Sequence, residues 1–246
     1  MIRYWRQRQG ISQMDLALEI DSSSRHLSFV ETGKAKPGRE LLRKLAEALR
    51  IPLRQRNYLL ELAGYSREFS EESLDSGRMQ IVHSAINHIL AGHEPFPAMV
   101  VDGAYEILRA NSGMKKLLVG FLGERASRFS NAVDVLFDPN GLQPYVRNWA
   151  TVQRVLLARI RDEVFRTRNE KLAKLHAKWI RAGESAVAGD TEAQLPVVDL
   201  HLERDGLSLR LFGIVSTLGT PMDVTAQEIR IETFFPADEP TRHWFS

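Results

Sequence analysis

The stretch Gly10-Ile-Ser-Gln-Met-Asp-Leu-Ala-Leu-Glu-Ile-Asp-Ser-Ser-Ser-Arg-His-Leu-Ser-Phe-Val-Glu-Thr-Gly33 decides how the rest of the chain is read. Ser12 and Asp15 form an S-x-x-D start, in which short side chains satisfy the amides that open a helix. Leu16 and Ile20 then share one face of that helix, and Ala17 between them is small enough for a second helix to cross closely. After a turn at Asp21-Ser22, Leu27 and Val30 give the second helix an apolar side. Ser24, Arg25, Ser28 and Phe29 are left facing solvent.

On either side, Gly33, Pro37-Gly38, Pro52 and Gly64 punctuate further apolar-periodic stretches, so residues 1–65 read as an all-α unit of five short helices. Residues 66–78 are rich in Ser and Glu and poor in apolar side chains, which places a linker there and a second domain at 79–246. Charge changes at the same place. Residues 1–69 hold 13 lysines and arginines against 8 acids, and residues 70–246 hold 20 against 23. A basic front on a mildly acidic body is the layout of a nucleic-acid-binding module joined to something else.

The second domain reads as α+β. Met79, Val82, Ile86, Ile89 and Leu90 keep helical spacing, and residues 98–102 and 105–109 flank Gly103 as a hairpin. A short helix is expected over Ser112–Phe121. A long one is expected from about Leu142, with Trp149, Val152, Leu156, Ile160 and Val164 on one face. Leu172, Leu175 and Trp179 predict another helix before a Gly183–Gly189 loop. Leu200 and Leu202, the Asp205-Gly206 turn, then Leu207, Leu209 and Leu211 predict a second hairpin, and Glu228–Phe235 a last strand. One antiparallel sheet with helices packed on it follows.

Composition narrows the function. At 43% hydrophobic and 26% charged residues the chain is ordinary for a globular protein, and no apolar run approaches the ~18 residues of a membrane span. Met1–Gly10 carry three arginines and no apolar segment, so no secretory signal is expected. The absence of cysteine excludes disulfides and thiolate metal sites and fits a cytoplasmic setting. His83, His88 and His93 recur every five residues and are spread around a helix, so no metal site is expected. No H-E-x-x-H, G-x-S-x-G or phosphate-loop pattern is present, and Asp134 and Asp138 read as loop and cap chemistry. Catalysis is therefore not expected, nor a cofactor.

The opening segment resembles the lambda-repressor-like family of helix-turn-helix domains. The matching residues are Gly10-Ile11-Ser12-Gln13, Leu16-Ala17, Leu27-Ser28, Glu31 and Gly33, with Pro37 and the run Leu41–Leu49 downstream. Asp21 stands where that family commonly has Gly. The resemblance implies sequence-specific binding of double-stranded DNA by a homodimer on an inverted repeat. It implies that Ser24, Arg25, Ser28 and Phe29 face bases, with Arg25 able to bridge guanine O6 and N7. It gives Gln13, Lys34, Lys36 and Arg39 phosphate contacts or positioning, and Arg6–Glu31 an internal ion pair. The competing readings are a plain helix cap for Gln13, packing on protein for Phe29 and solvated charge for the three cations.

Residues from about 79 to 240 resemble the ligand-binding domain of MmyB-like transcription regulators, which is PAS-like. The resemblance rests on Pro95–Asp102, Tyr105–Asn111, Tyr145–Trp149 and Phe234–Asp238, with Ala110 where that family has Trp. It implies a fatty-acid-like or other small hydrophobic effector. The candidate pocket residues are Arg147 for a carboxylate head group and Trp149, Val152, Leu156, Leu211, Phe212, Ile214 and Phe234 for the walls; each also reads as plain core or surface. The rival function is an effector-independent repressor or antitoxin whose second domain serves only dimerisation or protein binding.

Overall fold

The two helices of the stretch Gly10–Gly33 are opened by side chains that the sequence supplies locally. Helix α1 spans Ile2–Arg8 and α2 Gln13–Glu19. Ser12 caps α2: its Oγ accepts the Asp15 amide at 3.1 Å and donates to the Asp15 carboxylate at 2.7 Å. Helix α3, Ser24–Glu31, is capped by Ser23, whose Oγ accepts the His26 amide at 3.1 Å. Gly33 ends it in the left-handed region at φ +74°, and the Lys34 amide closes on the Phe29 carbonyl at 2.8 Å. Helices α4 (Arg39–Ala48) and α5 (Leu53–Leu62) complete the five. Their apolar faces meet in one core of Trp5, Leu16, Ala17, Leu27, Leu42, Leu45, Leu49 and Leu59.

The computed structural model describes residues 1–183 and 197–246, which divide into two compact units. The first is Met1–Glu71 with Pro221–Val224, and the second is Glu72–Thr220 with Thr225–Ser246. The polar segment 66–78 is thus shared between them. Its first part is held by Asn57, a buried residue of α5. The Asn57 Oδ1 accepts the Glu68 and Phe69 amides, both at 3.0 Å, and its Nδ2 donates to the Phe69 carbonyl at 2.7 Å. Leu74 of the later part, and Met79 just after the segment, are buried in the second unit. A low apolar content concealed these anchors, because Asn57 lies outside the segment and a single buried Leu within it makes no periodic pattern.

The second unit is built on a five-stranded antiparallel sheet. Helix α6 (Gln80–Gly92) precedes the hairpin β1 (Ala98–Val101) and β2 (Ile107–Ala110). Helices α7 (Ser112–Leu122), α8 (Ala132–Phe137), α9 (Trp149–Thr167) and α10 (Glu170–Gly183) follow. Strands β3 (Asp199–Arg204) and β4 (Leu207–Thr217), helix α11 (Val224–Glu228), strand β5 (Arg230–Pro236) and helix α12 (Glu239–Phe245) close the chain. The strand order is β2-β1-β5-β4-β3.

Several details differ from the sequence expectation, among them the short helices α11 and α12, which it did not include, and the last strand, which begins at Arg230 and not at Glu228. The long helix begins at Trp149, not near Leu142, because Pro144 confines the preceding residues to a single tight turn. Helix α8 carries no strong period and was not expected; Asn131 creates it by accepting the Val133 and Asp134 amides. Most of the predicted Gly183–Gly189 loop lies outside the described residues.

Strand alternation divides the second core in two. On one face Met99 and Val101 of β1 and Leu209 and Leu211 of β4 meet α7, α8 and α9. On the other, Ala98, Val100 and Ile231 pack with Ile86 and Leu90 of α6.

Candidate functional site

The face built by α2 and α3 depends on a tight joint. The Ser22 amide donates to the Ala17 carbonyl at 2.8 Å, and Asp21 takes φ +54°, the left-handed region that favours glycine. Ala17 is buried, so no side chain separates the helices. Replacing Asp21 by Val should therefore cost about 1–2 kcal/mol, since a branched side chain tolerates this backbone far less than Asp does. Asp21→Gly should be close to neutral. Thermal melts of the pair check this, and equal melting temperatures for all three proteins would contradict the strained turn.

Behind α3 lies a buried ionic network. Arg6 grips Glu31 with two hydrogen bonds, from Nε to Oε1 at 2.7 Å and from Nη2 to Oε2 at 2.9 Å. Its third nitrogen, Nη1, donates to the Ile11 carbonyl at 3.0 Å, and Gln13 Nε2 donates to Glu31 Oε2 at 2.7 Å. Burial alone would raise the Glu31 carboxyl, but the bonds from Arg6 and Gln13 and the Arg6 charge hold it below the usual carboxylate range. Arg6 of α1 and Gln13 of α2 are thus both bonded to Glu31 of α3.

The opposite face of α3 is open. Ser24, Arg25 and Phe29 are exposed and Ser28 is half-buried, while Leu27 and Val30 point into the core. The Arg25 guanidinium lies 5.6 Å from the centre of the Phe29 ring. The cations beyond α3 differ in their surroundings. Lys34 is exposed; Lys36 lies 5.2 Å from the Tyr65 ring; Arg39 lies 3.6 Å from Glu68 and is 46% exposed.

The second unit holds a partly open cavity of about 370 Å³ between the sheet and helices α7, α8 and α9. Its walls include Met99, Ile107, Leu117, Val135, Val152 and Leu156, and Leu211 and Phe234 close it from the sheet. Of the pocket residues expected from the sequence, Val152, Leu156, Leu211 and Phe234 line this cavity. The other four lie elsewhere. Phe212 and Ile214 alternate with Leu211 and so point from the other face of β4, where Phe212 stacks on Phe235 at 5.5 Å. Trp149 packs edge-on against Phe137, with ring centres 5.0 Å apart. Arg147 is exposed and closes two 2.7 Å bonds on Glu203.

Comparisons with known proteins agree with this division. Residues 2–55 match a helix-turn-helix family model, and residues 82–246 match the MmyB-like transcription regulator ligand binding domain. The chain belongs to the MmyB-like transcription regulators. It is a DNA-binding regulator whose second domain is of the ligand-binding type. A search of curated proteins gave no match. Among the described residues no helix is long and apolar enough to cross a membrane.

Four polar residues of the regulator's cavity were missed from sequence: Tyr105, Arg159, Asp199 and Glu232. Arg159 and Glu232 line it and form an ion pair at 2.9 Å. Tyr105 lines it too, 2% exposed, with φ +67° and a buried hydroxyl that has no hydrogen-bond partner among the described residues. This unusual backbone is fixed by Asp102, whose Oδ1 accepts the Ala104 amide at 2.7 Å and the Glu106 amide at 2.9 Å. It sets the Tyr105 ring 5.6 Å from the Arg159 guanidinium and 5.7 Å from that of Arg230. Burial pushes the Tyr105 phenol well up from its ordinary value, so it stays protonated. A signal existed: Val152, Leu156 and Arg159 recur at i, i+4 and i+7 on α9, so any pocket against Val152 and Leu156 also meets Arg159.

Proposed function

We propose that this regulator binds an inverted-repeat operator as a homodimer, reads it with α3, and changes affinity when a small hydrophobic effector occupies the second domain. The observation that carries the effector reading is the 370 Å³ cavity with mostly apolar walls, which lies within the range of small-molecule sites. Ser24, Arg25, Ser28 and Phe29 are the base-reading set, and Lys34, Lys36 and Arg39 are the phosphate contacts around the following loop. An effector acts by preferring one spacing of the two recognition helices over another, since only differential affinity shifts such an equilibrium. The site of action is DNA in the cytoplasm.

The cavity is tested by filling it. Leu156→Trp adds bulk where Leu156 meets the void, so a hydrophobic ligand that binds the wild type should bind the variant at least about tenfold more weakly, a loss of ~1.4 kcal/mol. Calorimetry with the full-length protein measures this, and operator binding without ligand should be retained. If the variant binds ligand like the wild type, the cavity is not the effector site. If no apolar ligand binds either protein, the effector-independent repressor becomes the better reading.

A further inference from the structure

The cavity carries charge as well as apolar wall, and the arrangement of that charge limits what an effector's polar end can be. Its lining includes one cation, Arg159, and two carboxylates, Asp199 and Glu232. Each is already engaged. Arg159 Nη2 donates to Glu232 Oε1 at 2.9 Å, and Arg210 Nε donates to Asp199 Oδ2 at 2.7 Å. The Glu232 side chain is 10% exposed and that of Arg159 35% exposed, so the guanidinium is the more accessible partner. Arg147, the cation offered from sequence as a carboxylate anchor, is occupied by Glu203 outside the cavity. Residues 184–196 contain no lysine, arginine or histidine.

A ligand carboxylate entering here would share one guanidinium with Glu232. Two like charges at one guanidinium repel each other, and displacing Glu232 would leave a buried carboxylate unpaired. A hydroxyl or carboxamide has no such conflict. It both donates and accepts, so it can take a hydrogen bond from the accessible guanidinium and give one to a carboxylate, leaving the ion pair in place. The Tyr105 ring, 5.6 Å from the same guanidinium, adds an uncharged side chain to the lining at this end.

We propose that the cavity selects an effector with an apolar body and a neutral hydrogen-bonding head, an alcohol or a carboxamide, and discriminates against a free carboxylate. This rests on the reading of the cavity as the effector site. Arg159 and Glu232 together form the head-group site, and the α9–β5 pairing that they make is kept when the ligand is bound.

The test is a matched series of decanol, decanamide and decanoic acid, titrated calorimetrically into the full-length protein near neutral pH. Decanol and decanamide should bind at least about tenfold more tightly than decanoate, the scale of one charge-assisted hydrogen bond lost to repulsion. Lowering the pH through the ligand's own carboxyl pKa should strengthen decanoic acid and leave decanol unchanged. E232Q removes the competing charge and should improve decanoate at least about tenfold; the pH series in the wild type gives the same answer should that variant fold poorly. Tightest binding by decanoate, or equal binding of all three, overturns the head-group assignment while leaving the cavity as the effector site. Failure of all three to bind overturns the effector reading as well.

Discussion

Glu31→Ala should destabilise the DNA-binding unit by about 3–5 kcal/mol, the usual consequence of removing one partner from a buried, hydrogen-bonded ion pair. The Glu31 side chain is 1% exposed and that of Arg6 11%, so the guanidinium left behind cannot regain full hydration. Gln13 loses its acceptor as well. Because a small domain is stable by only ~5–15 kcal/mol, a loss of this size populates the unfolded unit appreciably. Hydrogen exchange of the α2 and α3 amides in the full-length protein reports it directly, and a change below about 1 kcal/mol would show that the network is not structural.

The same pair makes an acid-sensitive contribution. The folded-state pKa of Glu31 is depressed, so its stabilisation is fully present above the unfolded carboxyl value of about 4.3 and is lost as pH falls through the lower folded value. Glu31→Gln cannot titrate. It should be less stable than the wild type at neutral pH, with the difference shrinking below about pH 4 as the wild-type carboxylate protonates. A constant difference across that window would remove Glu31 as the titrating group.

Arg25→Ala should cost about 1–3 kcal/mol of operator affinity and relax the base preference at one position of each half-site. The argument is geometric: Arg25 lies in the first turn of α3, exposed, with Leu27 and Val30 turned to the core and fixing which way the helix faces. A planar guanidinium can meet guanine O6 and N7 together, a pairing that Lys or Ala cannot reproduce. Lys34→Ala provides the contrast. As a phosphate contact it should weaken binding uniformly across sequences and reduce the salt slope by about 1. Selection from genomic fragments, followed by salt titration of both variants, separates the two effects. If Arg25→Ala retains wild-type affinity and base choice, α3 does not read the operator.

How much of this was legible depended on the range of the interaction concerned. The helix-turn-helix was readable because its signals are local: Ser12 with Asp15, Leu16 with Ile20 and Leu27 with Val30 all lie within a few residues. The sheet was readable as strands for the same reason, through alternation and the Asp205-Gly206 turn. The cavity was only half readable. Val152 and Leu156 share a helix face with helical spacing, but choosing Leu211, Phe212 and Ile214 together ignored that a strand sends neighbours to opposite sides. Arg159 and Glu232 are 73 residues apart and meet only when α9 packs on β5. Nothing in either local sequence marks the other.

The three hydrogen bonds that Asn57 makes to Glu68 and Phe69 bear on where the DNA-binding unit can be severed from its ligand domain. A fragment cut at Tyr65, where the last turn signal falls, would strand a buried carboxamide inside the five-helix unit and remove Glu68 from the Arg39 and Arg43 guanidinium groups. Carried on to Glu71, the fragment keeps both. The portable unit of this regulator is therefore longer than its helices, and the strip after them is held by the Asn57 carboxamide and by the ion pairs of Glu68.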